Sequence, residues 1–333
     1  SRMDKISKKN QMIDKRIKLL RSKFIQHKID GYVIPKNDQF FSEYAVEDRL
    51  KIISNFSGSA GLAIVLKKKN YLFVDGRYTI QAQQQSGKKF KIIEIHKFLP
   101  FKIIKNLKLG FDPSLFTKKQ LNTYFHNSLI LKPINKNLVD EIYKNKTSKN
   151  KNFFSLTNKV AGKTFKSKIN NVRNILKKNK ADYLFISAPE NVAWLLNIRG
   201  SDNPNSPIPN CRLIIGKDKE LFLITQKEKT LKIIKDKKLS KKQIINPKKF
   251  KDLINKLKGH KFIIDPLSCS LLNENIIKSK FKIINKDDPC YKLKSIKNSS
   301  EIKHMINAHI EDGLALTKFI FWIKNINKKK ITE

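Results

Sequence analysis

The residue types most able to do chemistry fall in a few short stretches. His304, His309, Glu311 and Asp312 gather the imidazoles and carboxylates that hold divalent cations. On a helix, positions five apart do not share a face as i and i+4 do, so these read as solvated or interface polar groups. Gly58-Ser59-Ala60-Gly61 has the glycines of a phosphate-cradling loop but lacks the Gly-Lys-Ser/Thr ending, and a structural turn is expected. Ser59 has no nearby histidine to activate it. No catalytic, cofactor-binding or metal-ligating residue is therefore assigned. Cys211, Cys269 and Cys290 are odd in number, far apart and without paired metal-ligand spacing, so they are expected to be reduced and structural. Arg199-Gly200-Ser201-Asp202 stands apart: it follows the apolar Trp194-Leu195-Leu196 and precedes Asn203 to Asn210, a loop with three prolines. Its plainest reading is an internal Arg–Asp pair bracing a turn.

The elements that must position these residues centre on Ile52 to Gln85. After the glycine turn, Leu62 to Leu66 and Tyr71 to Val74 form two apolar runs around the polar Lys67 to Asn70, which predicts a β-hairpin. Asp75 is placed to cap a helix from Arg77, with Ile80 and Ala82 starting its apolar face. Upstream, Ile6, Ile13, Ile17, Leu20, Phe24 and Ile25 give an amphipathic helix over residues 4–28, stopped by Asp30-Gly31 and followed by the strand Tyr32 to Pro35 and a polar loop, Lys36 to Asp48. Downstream come strand Lys91 to Ile95, a helix near Leu99 to Lys105, strand Leu109 to Asp112, a helix from Thr117 to His126, and strand Leu129 to Leu131. Short strands alternating with helices predict an α/β unit with a largely buried sheet.

Lys144 to Asn152 has no apolar residue and reads as a linker, after which the pattern repeats. At an offset of 152, Ile17, Leu20, Arg21, Phe24, Lys28 and Asp30 fall on Ile169, Val172, Arg173, Leu176, Lys180 and Asp182. A second hairpin, Arg212 to Ile215 and Leu221 to Ile224, follows Gly200-Ser201 as the first follows Gly58-Ser59. The second unit continues through helices near Glu228 to Lys237 and Phe250 to Lys258, strand Phe262 to Asp265, a helix from Leu272 to Lys278, and strand Phe281 to Ile284. A long helix then runs from Ser299 to about Asn327, capped by Ser299 or Ser300, with an apolar stripe through Ile302, Met305, Ile306, Ile310, Leu314, Phe319, Ile320 and Ile323. With the chain ending at Glu333, that stripe has no expected partner.

With 333 residues, two or three domains are the natural expectation. A net charge of +43 would suggest nucleic acid, but only eight of the 71 basic residues are arginine and the lysines are spread over nearly every segment. Lys, Ile, Asn and Phe are inflated together, as AT-rich coding would produce, so specific nucleic-acid binding is not expected. No apolar run reaches the roughly 18 to 20 residues of a membrane span, and no signal-peptide pattern opens the chain. A cytoplasmic protein without membrane partners is expected.

Several spaced motifs resemble the N-terminal part of aminopeptidase P, the Xaa-Pro aminopeptidase of the creatinase and prolidase superfamily. They are Ser42-Glu43-Tyr44, Phe56 to Gly61, Asp75-Gly76-Arg77-Tyr78, Leu138 to Ile142, Ala161-Gly162 with Lys168, Asn191 to Asp202, and Lys294, Lys297, Glu301, Ile302, Met305, Ala308, His309 and Asp312-Gly313. The resemblance implies an α/β fold of two tandem creatinase N-terminal-type domains with mixed sheets, at 4–143 and 153–290 with a linker at 144–152. It further implies the first helix of a truncated pita-bread catalytic domain at 291–333. The full-length family enzyme removes the residue preceding a proline from peptide substrates, using two divalent metals, usually manganese, held by two aspartates, one histidine and two glutamates. Those ligands would lie beyond Glu333, so this chain alone is expected to be inactive. Its domains would shape the substrate cleft and support a homodimer, with Arg199, Gly200, Ser201 and Asp202 at the cleft rim. The alternative is a stand-alone, non-catalytic binding or dimerisation module.

Overall fold

The computed structural model describes residues 2–42, 44–126, 129–144 and 151–326, with side chains from residue 8 onward. Glu43, most of the expected linker and the last residues of the expected long helix lie outside them.

Two six-stranded mixed sheets organise the chain. In the first unit the strands are β1 (Gly31–Pro35), β2 (Leu62–Leu66), β3 (Asn70–Val74), β4 (Lys91–Glu94), β5 (Lys108–Phe111) and β6 (Ile130–Pro133), in the order β4-β3-β2-β1-β5-β6. The second unit first contributes the two-residue β7 (Phe154–Ser155) and β9 (Ile198–Arg199), which pair with each other. Its sheet comprises β8 (Tyr183–Ile186), β10 (Arg212–Gly216), β11 (Leu221–Ile224), β12 (Ile244–Ile245), β13 (Lys261–Ile264) and β14 (Lys282–Asn285), in the order β12-β11-β10-β8-β13-β14. Each hairpin is antiparallel, with Ile64 opposite Tyr71 and Ile214 opposite Phe222, while β1–β5 and β8–β13 are parallel. Successive strand residues point to opposite faces, so a sheet covered on both faces needs unbroken apolar runs. Tyr32 and Ile34 enter one core with Leu20 and Phe24, whereas Val33 enters another with Ile64, Phe73 and Phe111. Leu184 and Ile186 likewise part from Tyr183 and Phe185.

The two units share atomic devices as well as topology. Ile17, Leu20 and Phe24 are buried, as are their counterparts Ile169, Val172 and Leu176. Arg21 Nε donates to Leu66 O at 2.7 Å and Arg173 Nε to Gly216 O at 3.2 Å, each tying the leading helix to the end of the same hairpin strand. Lys28 and Lys180 both take the left-handed conformation, with φ of 53° and 50°. Asp30 accepts from Lys108 N and Lys67 Nζ, and Asp182 accepts from Lys261 N, His260 N and Lys217 Nζ, so each carboxylate fastens the first strand to its parallel neighbour. Asp112 and Asp265 directly follow the matching strands β5 and β13 and hold Asn137 and Asp288, the N-caps of the helices Leu138–Ile142 and Pro289–Ser295.

Several sequence expectations need correction. A break at Lys23 divides the first helix into Arg2–Ser22 and Phe24–His27. Asp75 caps a 3-10 turn, Gly76–Tyr78, and the α-helix starts only at Thr79; Ile80 is 73% exposed, so Ala82 alone of that pair faces the core. The helix expected near Leu99 to Lys105 shortens to Pro100–Ile103. Asn298, not Ser299 or Ser300, caps the long helix Ser299–Asn325, in a reciprocal capping box with Glu301. The helices Arg49–Ser54, Leu138–Ile142 and Pro189–Leu196 and the strand β12 had no assignment from sequence, being short or uniformly apolar. The long helix is bound to the second unit at its start, where Asn298 Nδ2 donates to Ala161 O at 2.8 Å. Gly162 makes room for this contact: its φ is +71°, and a Cβ there would stand 2.2 Å from Asn298 Oδ1. Beyond, the apolar stripe is bare, with Ile302 at 49% and Ile310 at 66% exposure.

Candidate functional site

The Pro189–Leu196 helix carries the segment singled out by sequence. Pro189 at its first turn presets φ, Glu190 complements the positive helix start, and Asn197 closes it in the left-handed conformation. Its last carbonyls, at the negative end of the helix dipole, collect three cations. Lys168 Nζ donates to Trp194 O at 2.9 Å and Asn197 Oδ1 at 2.7 Å; Lys238 Nζ donates to Leu196 O and Asn197 O; Arg199 Nη1 donates to Ala193 O and Ile198 O. Lys168 also lies 4.2 Å from the centre of the Trp194 ring. Burial pulls the Lys168 and Lys238 ammonium groups down to about 8 and lowers Arg199 as well. The Glu301 carboxylate on the long helix opposes that shift at Lys168 and Arg199. In the first unit Arg16, the positional equivalent of Lys168, donates to Ile52 O at 2.8 Å in the matching Arg49–Ser54 helix.

Arg199 and Asp202 do not brace a turn together. Arg199 lines a groove of about 440 Å³ against the long helix, with Trp194, Lys297, Glu301 and His304. Asp202 turns the other way, accepting from Lys229 Nζ at 2.8 Å and Asn210 N at 2.7 Å. Between them Gly200 N donates to Pro207 O, and a Cβ at Gly200 would meet Pro209 Cα at 2.8 Å, so this tight passage requires glycine. Ser201 is exposed. The four expected rim residues thus serve two different surfaces.

Asp202 faces the junction of the two units. Arg212 is buried there, its guanidinium 4.3 Å from the centre of the Phe40 ring and donating to Gln39 O at 2.6 Å; burial lowers its pKa to about 10. Ser42 Oγ approaches Asn203 Oδ1 at 3.2 Å. Nearby, Thr117 forms an antiparallel bridge with Ser270, and Leu271 N and Leu272 N donate to Phe116 O and Pro113 O. Thr117 and Ser270 are equivalent caps 153 residues apart, as are the strand residues Lys108 and Lys261, so the units meet about a local pseudo-two-fold axis. Sequence reasoning missed Arg212 and Phe40 because nothing in either stretch announces a partner more than a hundred residues away. A cleft of about 300 Å³ opens at this junction, lined by Phe40, Phe41, Tyr44, Glu190 and Ile208.

The other candidates resolve into structure. Ser59 Oγ bonds Tyr78 OH at 2.6 Å, and His309 Nδ1 lies 2.8 Å from Met305 O in its own helix. The three cysteines are free and buried, which pushes their thiols upward and away from reactivity. Among the described residues no three His, Cys, Asp or Glu side chains come together as a metal-ligand set.

The family model of the creatinase/prolidase N-terminal domain matches residues 16–132, and a second model of the same description matches residues 144–301. The chain is 31% identical to Xaa-Pro aminopeptidase 1 of Dictyostelium discoideum over 96% of its own length and 55% of that protein. It is 31% identical to Xaa-Pro aminopeptidase ApepP of Drosophila melanogaster, over 90% of this chain and 52% of that one. Among solved structures, X-prolyl aminopeptidase from Caenorhabditis elegans, described as a cytosolic enzyme with a di-nuclear active site, matches with a TM-score of 0.81 and 26% identity, covering 94% of this chain and 56% of that chain. Two creatinase/prolidase N-terminal domains thus lie in tandem over residues 16–132 and 144–301, and the chain belongs to the creatinase/prolidase family. It spans about half the length of the curated relatives it matches.

Proposed function

We propose that this chain is the N-terminal, non-catalytic portion of a cytoplasmic, metal-dependent Xaa-Pro aminopeptidase. The observation that carries this reading is the match, along 94% of the chain, to a little over half of the nematode X-prolyl aminopeptidase. Domains at 4–143 and 153–290, joined by a linker at 144–152, would shape the cleft, limit access to short peptides and support a homodimer. Residues 291–333 would begin a pita-bread domain whose ligands hold two divalent metals, manganese in our reading. The bare stripe of the long helix supports this, since burying each Ile, Leu or Phe contributes about 1.5–3 kcal/mol and an unaccompanied stripe forgoes it. When bound, such metals supply a hydroxide nucleophile and polarise the scissile carbonyl.

A dedicated enzyme suits this bond because proline lacks an N–H and constrains the residue before it. On this reading Arg199 stands nearest the catalytic domain, in the groove beside Glu301, while Asp202 serves the rim indirectly by fixing the loop. No helix among the described residues is long and apolar enough to cross a membrane. Assay of the matching full-length protein with manganese against Arg-Pro-Pro tests the proposal. Release of the residue before proline is expected, and cleavage confined to peptides without proline, or none at all, overturns it.

A further inference from the structure

Two loops without counterparts in the opposite repeat face each other across the junction: Lys36 to Ser42 and Tyr44 to Asp48 from the first unit and Asp202 to Asn210 from the second. Phe40, Phe41, Tyr44 and Ile208 give the 300 Å³ cleft between them an apolar lining, and Glu190 supplies a carboxylate at its edge. A smaller pocket of about 100 Å³ shares Phe40, Asn203 and Asn210 with it and adds Asp38, Glu47 and Asp202.

The protein carries +43, yet at this place carboxylates outnumber cations. Asp202 is paired with Lys229, Glu47 with Arg49, and Asp38 accepts from Phe40 N and Ser42 N, while Arg212 is buried over Phe40; Glu190 is left as the carboxylate open to the cation of a ligand. At about 0.15 M salt the Debye length is about 8 Å, so Glu190, rather than the distant lysines, sets the potential at its edge of the cleft.

We propose that this interdomain cleft binds an extended peptide segment in which a Lys or Arg side chain is flanked by apolar residues. The apolar neighbours lie on Phe40, Phe41 and Tyr44, and the cationic head pairs with Glu190. The site requires neither metal nor peptidase activity, so its failure leaves the peptidase reading untouched.

Titration calorimetry of the chain at about 0.15 M salt, using acetyl-Leu-Arg-Arg-Phe-amide and its Leu-Glu-Glu-Phe counterpart, tests it. The cationic peptide should bind at least about tenfold tighter. Glu190→Gln, which keeps the contact with the Tyr291 hydroxyl, should weaken it about fivefold, and Tyr44→Ala on the exposed loop by a similar factor. Glu311→Gln on the long helix should leave it unchanged. Equal affinity for the two peptides, absence of binding, or full affinity in Tyr44→Ala and any folded Glu190→Gln overturns the proposal.

Discussion

The first unit leaves β1 through a long loop, Lys36 to Asp48, before reaching its Arg49–Ser54 helix; the second turns from β8 almost directly into the Pro189–Leu196 helix. After the helix the asymmetry reverses, for Phe56 to Gly61 leads briefly into β2 whereas Arg199 to Cys211 wanders before β10. Everything that closes each sheet is duplicated: the Arg21 and Arg173 ties, the Asp30 and Asp182 clamps, the cations on the helix ends. Much of what joins the units or opens a cleft between them, apart from the contacts around Thr117 and Ser270 and the Glu190 side of the cleft, comes from the two unmatched loops or from a substituted position such as Arg212, where the first repeat has Leu62. Repetition therefore secures stability, and departure from repetition makes the surfaces available to a ligand.

The sharpest way to break that division is Arg212→Ala. It removes a desolvated cation–π contact and a charged hydrogen bond, and should cost about 2–4 kcal/mol. Denaturant unfolding followed by intrinsic fluorescence should then resolve two transitions where the intact chain shows a more concerted one. Gly162→Ala strains a positive φ and displaces Asn298, at about 1–3 kcal/mol, and should expose the start of the long helix to hydrogen exchange. Within the shared plan, Asp182→Ala frees two backbone donors and should cost about 1–3 kcal/mol, more than Asp30→Ala, which frees one. Equal losses in the two variants would show that the clamps are not graded by their partners.

The same clamp has a signature in acid. Its hydrogen bonds to Lys217, His260 and Lys261 outweigh burial and hold the Asp182 carboxyl at about 2, below its ordinary value of 3.8. Because the folded pKa is depressed, the contribution is complete above the ordinary value and disappears as pH falls from about 4 through about 2. Asp182→Asn should therefore flatten the loss of stability across that window, measured by thermal unfolding. The smallest effects belong to the exposed partners: Lys217→Ala and Lys67→Ala should each shift the thermal midpoint only slightly, an effect that added salt should erase.

Much of the sheet framework was legible because its signals are local. Apolar runs of strand length, the Asp30 and Asp182 positions and the glycine turn before each hairpin all follow from period and turn chemistry. Ile80 misled because helical spacing alone does not say which face a neighbour covers, and Asn298 outcompeted Ser299 and Ser300 because its side chain also reaches Ala161. The rim segment was found as a stretch and misread as a pair, since adjacency along the chain cannot show that Arg199 and Asp202 point to different surfaces.

By itself the sequence determined two copies of an α/β unit, their strands, their family and a long amphipathic helix, because each is written in the spacing of apolar residues or in short motifs. Tertiary structure alone decided which carboxylate holds which strand, that Arg212 is buried beneath Phe40, and that two unmatched loops enclose a cleft. Those outcomes depend on contacts between residues a hundred or more positions apart, whose partners are chosen by packing and desolvation.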